Sequence, residues 1–328
     1  MMHALTSTRV KRHPIREEDG SHREWKSGQA RAGQAKVHQS VLTKEVVQLL
    51  APQDGEMVID CTVGQGGHSE ALLKAAHVKL IGLDADYIAT AAATERLKRF
   101  GSRVAILNAN FADLDKTLEQ TKVEHVDVIL FDLGWRREQL SQGKGFSFLH
   151  DEPLNMSYGD LPRSGFTAAE ILNSWDEHVI ADVLFGYGEE RFARKIAKAV
   201  VARRAIAPIE TTIELVELIK DAVPASYRHG KIHPATKSFQ ALRIAVNDEL
   251  TSLEAALKAA WKHLHIGGRI GVISFHSLED RIVKRYFADL HRKKHADILT
   301  KKPLTASKTE ITTNPSARSA KLRVIKKI

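Results

Sequence analysis

Cysteine is almost absent from this chain, which has 328 residues and a single cysteine, Cys61. One thiol excludes an internal disulfide and a zinc site built from a cysteine cluster. Cys61 lies near the end of a short apolar run, Met57 to Thr62, that has the length of a buried strand. We therefore expect this cysteine to pack in the core, and we expect neither redox chemistry nor a requirement for a metal.

Long apolar runs are also missing from the sequence. None approaches the roughly 20 residues of a membrane span, and the first residues lack the apolar segment of a secretory signal. We expect a cytoplasmic protein without membrane association. The hydrophobic content of 43% argues against wholesale disorder, and the length suffices for one large α/β domain with an insertion or for two domains.

Acidic residues are scarce towards the C-terminus. The net charge is +9, and residues 281–328 hold 14 Lys and Arg against 3 Asp and Glu, a net +11 that leaves −2 for residues 1–280. A basic end on a near-neutral body is typical of a protein that binds nucleic acid. A solvated basic tail is the alternative interpretation.

A glycine-rich turn is the most informative feature that is present. The run Asp60 to His68 reads as a buried strand that enters a turn with three glycines and then a helix, for which Ser69 is the expected cap. Gly64 is followed twenty residues later by Asp84, which ends a second apolar strand. That offset places an acid beside the ribose hydroxyls of a bound nucleoside, so the pattern predicts a nucleoside-cofactor pocket.

The turn differs from the fingerprint of nicotinamide-binding proteins. Those proteins have a third glycine where this chain has Ser69, and the bulky His68 precedes it. We therefore favour S-adenosylmethionine as the cofactor.

Strands and helices alternate on both sides of this turn. The pattern predicts strands at 57–62, 78–84, 104–108, 126–133 and 269–275, with helices between them. This is typical of a Rossmann-like α/β fold with a mostly parallel sheet, whose ligand site lies at the C-terminal ends of the strands. Four polar residues follow or end predicted strands there: Asp60, Asp84, Asn108 and Asp132.

The pattern also predicts a division into domains. Residues 1–36 read as a disordered basic arm, 37–135 as the first part of the core, 136–232 as an inserted helical subdomain that binds substrate, and 233–328 as the second part of the core. The insert should contain helices at 167–173, 176–185, 189–205 and 211–222. A single helix is predicted over 234–265, and residues 320–327 should form an edge strand.

Several segments resemble one family. The chain from about residue 38 to 327 is similar to the bacterial RsmH/MraW family, methyltransferases that modify the exocyclic (N4) amine of a cytosine in 16S ribosomal RNA. The segments that carry the resemblance are Asp60 to Ser69, Gly145 to Phe148, Tyr187 to Arg191, His233 to Asn247, Ser274 to Lys284 and Ala317 to Arg323.

The resemblance implies a class I methyltransferase fold, S-adenosylmethionine as cofactor and the small ribosomal subunit as partner, and it leaves a homodimer open. It further implies a set of cofactor contacts: Gly66, Gly67, His68, Asp84, Phe111, Asp132 and Gln139. We expect Asp132 to be catalytic, because it ends the strand beside which the methyl group should be transferred. Candidates for RNA contact are Arg243, Asn247, His276 and Lys237. For His276 the alternative is a helix start that Ser277 and Asp280 cap.

The sequence departs from the family pattern in a few places. The family usually has Val-Ser-Ser after Asp-Leu-Gly, where this chain has Trp135, Arg136 and Arg137. The family's Asp-Met-Arg-Met-Asp appears here as Asn155 to Gly159, and Ser316 replaces a usual arginine. Trp135 or Phe146 are candidates for stacking on a target base, although such an aromatic is more often a core or lid residue.

Two other hypotheses remain at this point. A nicotinamide oxidoreductase would use the glycine turn and the acid but would explain neither the basic end nor the helical insert. A ribosome-binding or RNA-binding protein of the same fold, with an altered target or without methyl transfer, is suggested by the rewritten segments.

Overall fold

A computed structural model describes residues 39–134, 143–159 and 161–328 of the chain. The arm predicted for residues 1–36 lies outside these ranges. Within them, no helix combines the length and the apolar character that crossing a membrane requires.

The first part of the described chain alternates helices and strands as the sequence predicts. The elements are α1 (Thr43–Leu50), β1 (Met57–Asp60), α2 (Gly67–Ala75), β2 (Lys79–Asp84), α3 (Tyr87–Leu97), β3 (Val104–Asn108), α4 (Leu114–Gln120) and β4 (Val126–Asp132). A 3₁₀ segment, Lys98–Arg103, follows α3 and leads into β3.

The strands of this part form a parallel sheet. Its order is β3-β2-β1-β4, and β5 (Leu264–Ser274) lies parallel to β4 on the other side. Because the strands are parallel, their C-terminal ends meet at one edge, and Asp60, Asp84, Asn108 and Asp132 all lie there. The predicted Rossmann-like arrangement is confirmed.

Both faces of the sheet are buried, which explains the continuous apolar runs in the sequence. Along β4, Ile129 and Phe131 pack in one core with α4, α11 (Glu249–His263) and α12 (Ser277–Arg292). Val128 and Leu130 pack in a second core with α1, α2 and α3. Cys61 is buried in the first of these cores.

The far end of the sheet is antiparallel. Strand β8 (Lys321–Lys327) pairs with β5 on one side and with the short strands β6 (Ala296–Ile298) and β7 (Leu304–Thr305) on the other. The prediction of an edge strand at 320–327 was therefore wrong. Four consecutive residues, 322–325, are buried, because both faces of the sheet are covered here: Leu322 and Val324 pack in one core and Ile325 in the other.

Helices dominate the described residues between 143 and 232. They are α5 (Ala168–Ser174), α6 (Glu177–Gly188), α7 (Ala193–Arg204), α8 (Thr212–Ala222) and α9 (Ala225–Arg228). Two of them begin with capping boxes, Thr167 with Glu170 and Thr211 with Glu214. These helices share a third hydrophobic core, which contains Ile171, Leu184 and Ile196. The four predicted helices are confirmed, with ends shifted by a few residues.

The single helix predicted over 234–265 is two helices, α10 (Thr236–Asn247) and α11 (Glu249–His263). Asp248 lies between them with φ 47° and ψ 44°, in the left-handed region. The break divides the apolar stripe of the sequence between two cores. Phe239, Leu242 and Val246 pack with the helices of the 168–228 region, and Leu253 and Leu257 pack beneath the sheet. The domain boundaries of the sequence analysis stay predictions.

The chain ends in α12 (Ser277–Arg292), a short helix α13 (Lys308–Thr313) and β8. The start of α12 differs from the expected one. His276 is the N-cap residue and forms a capping box with Glu279, one residue earlier than the predicted pair of Ser277 and Asp280. Asp280 instead accepts hydrogen bonds from Arg323 on β8.

Candidate active site

A pocket opens at the C-terminal edge of the sheet, where the sequence predicts the cofactor. The glycine-rich turn forms one wall through Val63 and Gly64, and the end of β2 forms another through Asp84. Asp132 lies at the end of β4, and Phe111, Tyr158 and Phe275 add aromatic surface. The pocket thus combines carboxylates with apolar side chains.

Asp84 connects the turn to the second strand. Its Oδ2 accepts a hydrogen bond from the Gly64 amide at 3.0 Å, and its Oδ1 accepts one from the Asp86 amide at 2.9 Å. Gly64 has φ 53°, a conformation that glycine adopts without strain. The acid predicted to bind a ribose is therefore held in place by the backbone on both sides.

Gly66 and Gly67 lie at the start of α2 and are outside the pocket lining. Gly66 is the N-cap residue, with φ 81°, so the helix begins before the predicted cap Ser69. A Cβ on Gly67 would clash with the hydroxyl of Ser40, which does line the pocket. These glycines allow neighbouring segments to approach closely, and their predicted contact with the cofactor stays a prediction.

Asp60 has a structural role. It is 1% exposed, its Oδ2 accepts a hydrogen bond from the Ser69 hydroxyl at 2.7 Å, and its Oδ1 accepts one from the Thr62 amide at 3.2 Å. Burial raises the pKa of this carboxyl, against the lowering effect of the bond from Ser69. Asp60 thus ties β1 to α2 behind the pocket.

Asp132 is a largely buried carboxylate of the pocket, and its pKa is raised. Burial raises its pKa from 3.8 to about 6, Asp60 adds to the rise, and His68 opposes it. Its side chain keeps 18% of its accessible surface, and among the described residues its Oδ1 has no hydrogen-bond partner. A carboxyl that titrates near pH 6 can accept a proton at neutral pH and release it again.

His68 lies against Asp132. Its Nδ1 is 3.5 Å from Asp132 Oδ2, and its Nε2 is 2.7 Å from the carbonyl oxygen of Val41. A carbonyl only accepts, so Nε2 carries the hydrogen, and Nδ1 is the nitrogen that faces the carboxylate. His68 also lines the pocket, so its predicted cofactor contact and a role towards Asp132 are both compatible with its position.

A buried ion pair supports the opposite wall of the pocket. Arg243 on α10 donates to both carboxylate oxygens of Glu249 on α11, at 2.8 and 2.9 Å, and the hydroxyl of Tyr158 donates to the same carboxylate at 2.9 Å. Burial disfavours the charge on Arg243, but Glu249 outweighs it and raises the pKa of the guanidinium. Burial likewise raises the pKa of Tyr158 well above its usual value.

The residues predicted to contact RNA are mostly engaged within the protein. The Asn247 amide accepts from the Tyr158 backbone amide and donates to the carbonyl of Met156. Lys237 Nζ donates to the Glu189 carbonyl at 2.8 Å, and His276 caps α12. The structure places Arg243 and Asn247 beside the pocket and its wall, and contact with RNA stays a prediction for all four residues.

Phe111 lines the pocket and packs edge-on against Phe131, with ring centroids 6.0 Å apart. Neighbouring Asn110 caps the turn that holds Phe111, because its side chain accepts from the Ala112 amide at 2.9 Å. Gln139 and Trp135, both singled out from the sequence, lie outside the described residues.

Sequence reasoning did not assign several pocket residues. The ring of Phe275 packs against Gly134, which follows Asp132 and Leu133. A Cβ at position 134 would lie 2.6 Å from this ring, so only glycine leaves room for it. Glu249 carried no local motif, and Tyr158 was noted only as a departure from the family pattern. Tyr158 and Glu249 contact each other although they are 91 residues apart in the sequence, and a single sequence does not reveal such a contact.

A profile of the MraW methylase family matches residues 35–328. The chain belongs to this family. Its relatives include proteins named Ribosomal RNA small subunit methyltransferase H: one from Sulfurihydrogenibium sp. is 47% identical over 292 residues, covering 89% of this chain and 99% of that one. Another, from Treponema denticola, is 45% identical over 310 residues, covering 89% and 98%.

A solved structure titled as an rRNA methylase from Streptococcus thermophilus covers 87% of this chain and 93% of that one, with a TM-score of 0.40 and 12% identity. The family assignment rests on the sequence matches. It makes the chain an S-adenosylmethionine-dependent methyltransferase and confirms the prediction of this cofactor over nicotinamide.

The pocket fits that cofactor chemically. Val63, Phe111 and Leu133 offer apolar surface to an adenine ring, and Asp84 offers carboxylate oxygens to ribose hydroxyls. Asp132 supplies negative charge, which suits a positively charged sulfonium group.

Proposed function

We propose that this protein methylates the exocyclic amine of a cytosine in 16S ribosomal RNA, with the small ribosomal subunit as its partner in the cytoplasm. The observation that carries the proposal is the position of Asp132. It is a partly desolvated carboxylate at the pocket edge that lies next to the buried histidine His68. The names of the relatives support the choice of substrate.

The amine of cytosine is a poor nucleophile, because its lone pair is delocalised into the ring. When bound, S-adenosylmethionine supplies an electrophilic methyl group on its sulfonium. We propose that Asp84 orients the ribose, and that Asp132 accepts a hydrogen bond from the amine and then takes the proton that the methylated amine loses. His68, whose Nδ1 faces Asp132, stabilises the carboxylate when both of its ring nitrogens carry a hydrogen.

The helices of the 143–232 region are proposed to hold the RNA. On α7, Arg194, Lys195 and Lys198 are exposed, and Arg191 just before it lies 4.7 Å over the ring of Tyr227. Exposed guanidinium and ammonium groups beside aromatic rings are suited to phosphates and bases. The homodimer left open by the resemblance stays a prediction.

The direct test is transfer of a radiolabelled methyl group from S-adenosylmethionine to ribosomal RNA. Naked 16S RNA, immature small subunits and mature small subunits from cells that lack the protein should be compared as substrates. Mass spectrometry of the digested RNA should then show N4-methylated cytosine, and the Asp132→Asn variant serves as control.

A different outcome would favour the RNA-binding hypothesis. If calorimetry shows that the cofactor binds while none of the three substrates receives the label, the protein retains the fold without this activity. Label in another nucleotide would correct the target and leave the methyl transfer in place.

A further inference from the structure

A second cavity of about 250 Å³ lies beside the cofactor pocket. Its lining includes Phe146, Phe148, Phe239, Gln240 and Arg243. None of its lining residues belongs to the lining of the cofactor pocket. The volume is slightly below the range typical for drug-sized ligands, which suits a single nucleoside.

The two cavities share a wall. Tyr158 lines the cofactor pocket, and its ring stacks on Phe146 of the second cavity, with centroids 5.3 Å apart and planes at 13°. Glu249 joins the same two sides, because it accepts from Tyr158 and from Arg243. A ligand in the second cavity would therefore lie next to the cofactor.

The aromatic rings of the cavity are suited to a flat ring. Phe146 and Phe148 are partly accessible, and each has one stacked partner, Tyr158 for Phe146 and His233 for Phe148. Stacking of a nucleobase on such rings is a common source of affinity for single-stranded RNA. The predominantly apolar lining excludes a bare phosphate as the main ligand.

The polar groups of the cavity favour one kind of base. Two of the guanidinium nitrogens of Arg243 bind Glu249, and Nη1 has no hydrogen-bond partner among the described residues. Arginine only donates, and cytosine presents two neighbouring acceptors, O2 and N3, whereas uracil presents an N3–H donor in place of the second. Gln240 donates through Nε2 to the Tyr187 carbonyl, which directs its amide oxygen elsewhere as an acceptor.

The cavity also accounts for two sequence segments that the cofactor pocket does not use. Phe146 and Phe148 belong to the Gly145 to Phe148 segment, and Gln240 and Arg243 belong to the His233 to Asn247 segment, both of which carry the family resemblance. The two segments are 85 or more residues apart along the chain, yet residues of both line this cavity.

We propose that this cavity binds the target pyrimidine nucleoside, with the base stacked on Phe146 and read by Arg243, and with Tyr158 as the partition towards the cofactor. This inference rests on the proposed function and names the substrate pocket. The base stacks on Phe146 from the side of the cavity, and Tyr158 leaves its position between the two cavities when the amine reaches the cofactor.

The first experiment measures binding without catalysis. Crystals or NMR samples of the protein with S-adenosylhomocysteine receive cytidine 5′-monophosphate or uridine 5′-monophosphate. Cytidine should occupy the cavity beside Phe146 and bind more tightly than uridine. Density for cytidine elsewhere, or equal affinity for the two nucleotides, overturns the proposal even if RNA methylation is active.

The second experiment compares Phe146→Leu, Phe146→Trp and the control Phe166→Leu. Phe166 is an exposed phenylalanine that packs edge-on against Trp175 in the same helical region, and it lines neither cavity. Phe146→Leu should lower kcat/KM for RNA by about tenfold to a hundredfold. Phe146→Trp should retain most of the activity, and cofactor affinity should stay within about twofold of wild type, as is usual for a residue outside that pocket.

An unchanged kcat/KM for folded Phe146→Leu, or an equal loss in Phe166→Leu, contradicts the assignment of this cavity. Wild-type protein that methylates no RNA contradicts the proposed function instead. The nucleotide-binding measurement then still decides whether the cavity takes a pyrimidine nucleoside.

Discussion

The two walls of the catalytic pocket are held together in different ways. On the sheet side, Asp84 is fixed by the backbone amides of Gly64, in the turn that follows the adjacent strand β1, and of Asp86, two residues further along the chain. On the helical side, Tyr158 is fixed by a side-chain carboxylate, Glu249, that an arginine also holds. Backbone contacts follow from the fold itself, whereas the helical wall depends on particular distant side chains. We therefore expect the sheet wall to tolerate substitutions of its side chains better than the helical wall does.

The largest expected effect is on the rate and concerns Asp132. Asp132→Asn keeps the size of the side chain but cannot accept the proton of the amine. We expect kcat for RNA methylation to fall about 10²- to 10⁴-fold. Calorimetry with S-adenosylmethionine should show binding within about tenfold of wild type, as expected for loss of a single charged contact. A kcat within threefold of wild type would remove Asp132 from the reaction.

The helical wall should be the more fragile one. Glu249→Gln leaves the buried Arg243 without its anionic partner, which typically costs about 3 to 5 kcal/mol of unfolding free energy. The matched control is Glu217→Gln, which removes the exposed pair with Lys220 and should cost less than about 1 kcal/mol. Urea unfolding monitored by circular dichroism measures both. Equal costs for the two variants would show that the buried pair does not support this wall.

Asp84→Asn tests the sheet wall. The variant keeps an acceptor for a backbone amide, so the fold should hold. The loss of negative charge beside the ribose should weaken cofactor binding about tenfold to a hundredfold. Isothermal titration gives the affinity, and kcat at saturating cofactor should change less than the affinity does. A normal affinity would place the ribose elsewhere.

The raised pKa of Asp132 predicts opposite pH trends for activity and stability. The rate should fall as the pH drops through about 6, because the protonated carboxyl cannot accept a proton. The folded pKa lies above the unfolded value of 3.8, so this carboxyl favours the folded state at low pH, and that contribution is lost as the pH rises from about 4 through 6.

Asp132→Asn removes the charge at every pH. At pH 8 the variant should therefore unfold with a free energy higher than wild type by on the order of 2 kcal/mol, and the difference should vanish near pH 3. Thermal unfolding across this range measures it. A constant difference would assign the stability change to packing.

The smallest expected effect concerns the basic surface of the helical region. Lys198→Ala removes one exposed charge from α7 and should weaken RNA binding a few-fold, with a decrease of about 1 in the slope of log affinity against log salt. Lys258→Ala on α11, an exposed lysine outside this helical region, is the control. An unchanged slope for Lys198→Ala would direct the search for the RNA surface elsewhere.

The sheet side was largely predictable because its signals are local. The order of strands and helices, the Gly64 to Asp84 offset and the polar ends of the strands are all visible in short windows of sequence. Errors arose where a single residue redirects the chain. Asp248 breaks a helix without proline or glycine, and His276 caps a helix one residue before the expected serine.

The helical side was less predictable for a physical reason. Arg243 and Asn247 are candidates for RNA contact on sequence grounds, yet in the structure they hydrogen-bond to Glu249 and to the backbone of Tyr158. Periodicity identifies which residues share a helix face, but the partner of that face is set by packing across the whole chain. The stacking of Phe146 on Tyr158 likewise could not be predicted from the sequence alone.

Asp248, which has a left-handed backbone conformation, forms the connection between α10 and α11. Since each helix is anchored in a separate core, the backbone torsions of Asp248 are where a tilt of one layer against the other would be absorbed. The ion pair of Arg243 and Glu249 connects the two helices across Asp248. If the helices hold RNA as proposed, such a tilt would change the position of Glu249 and of Tyr158, which donates a hydrogen bond to it.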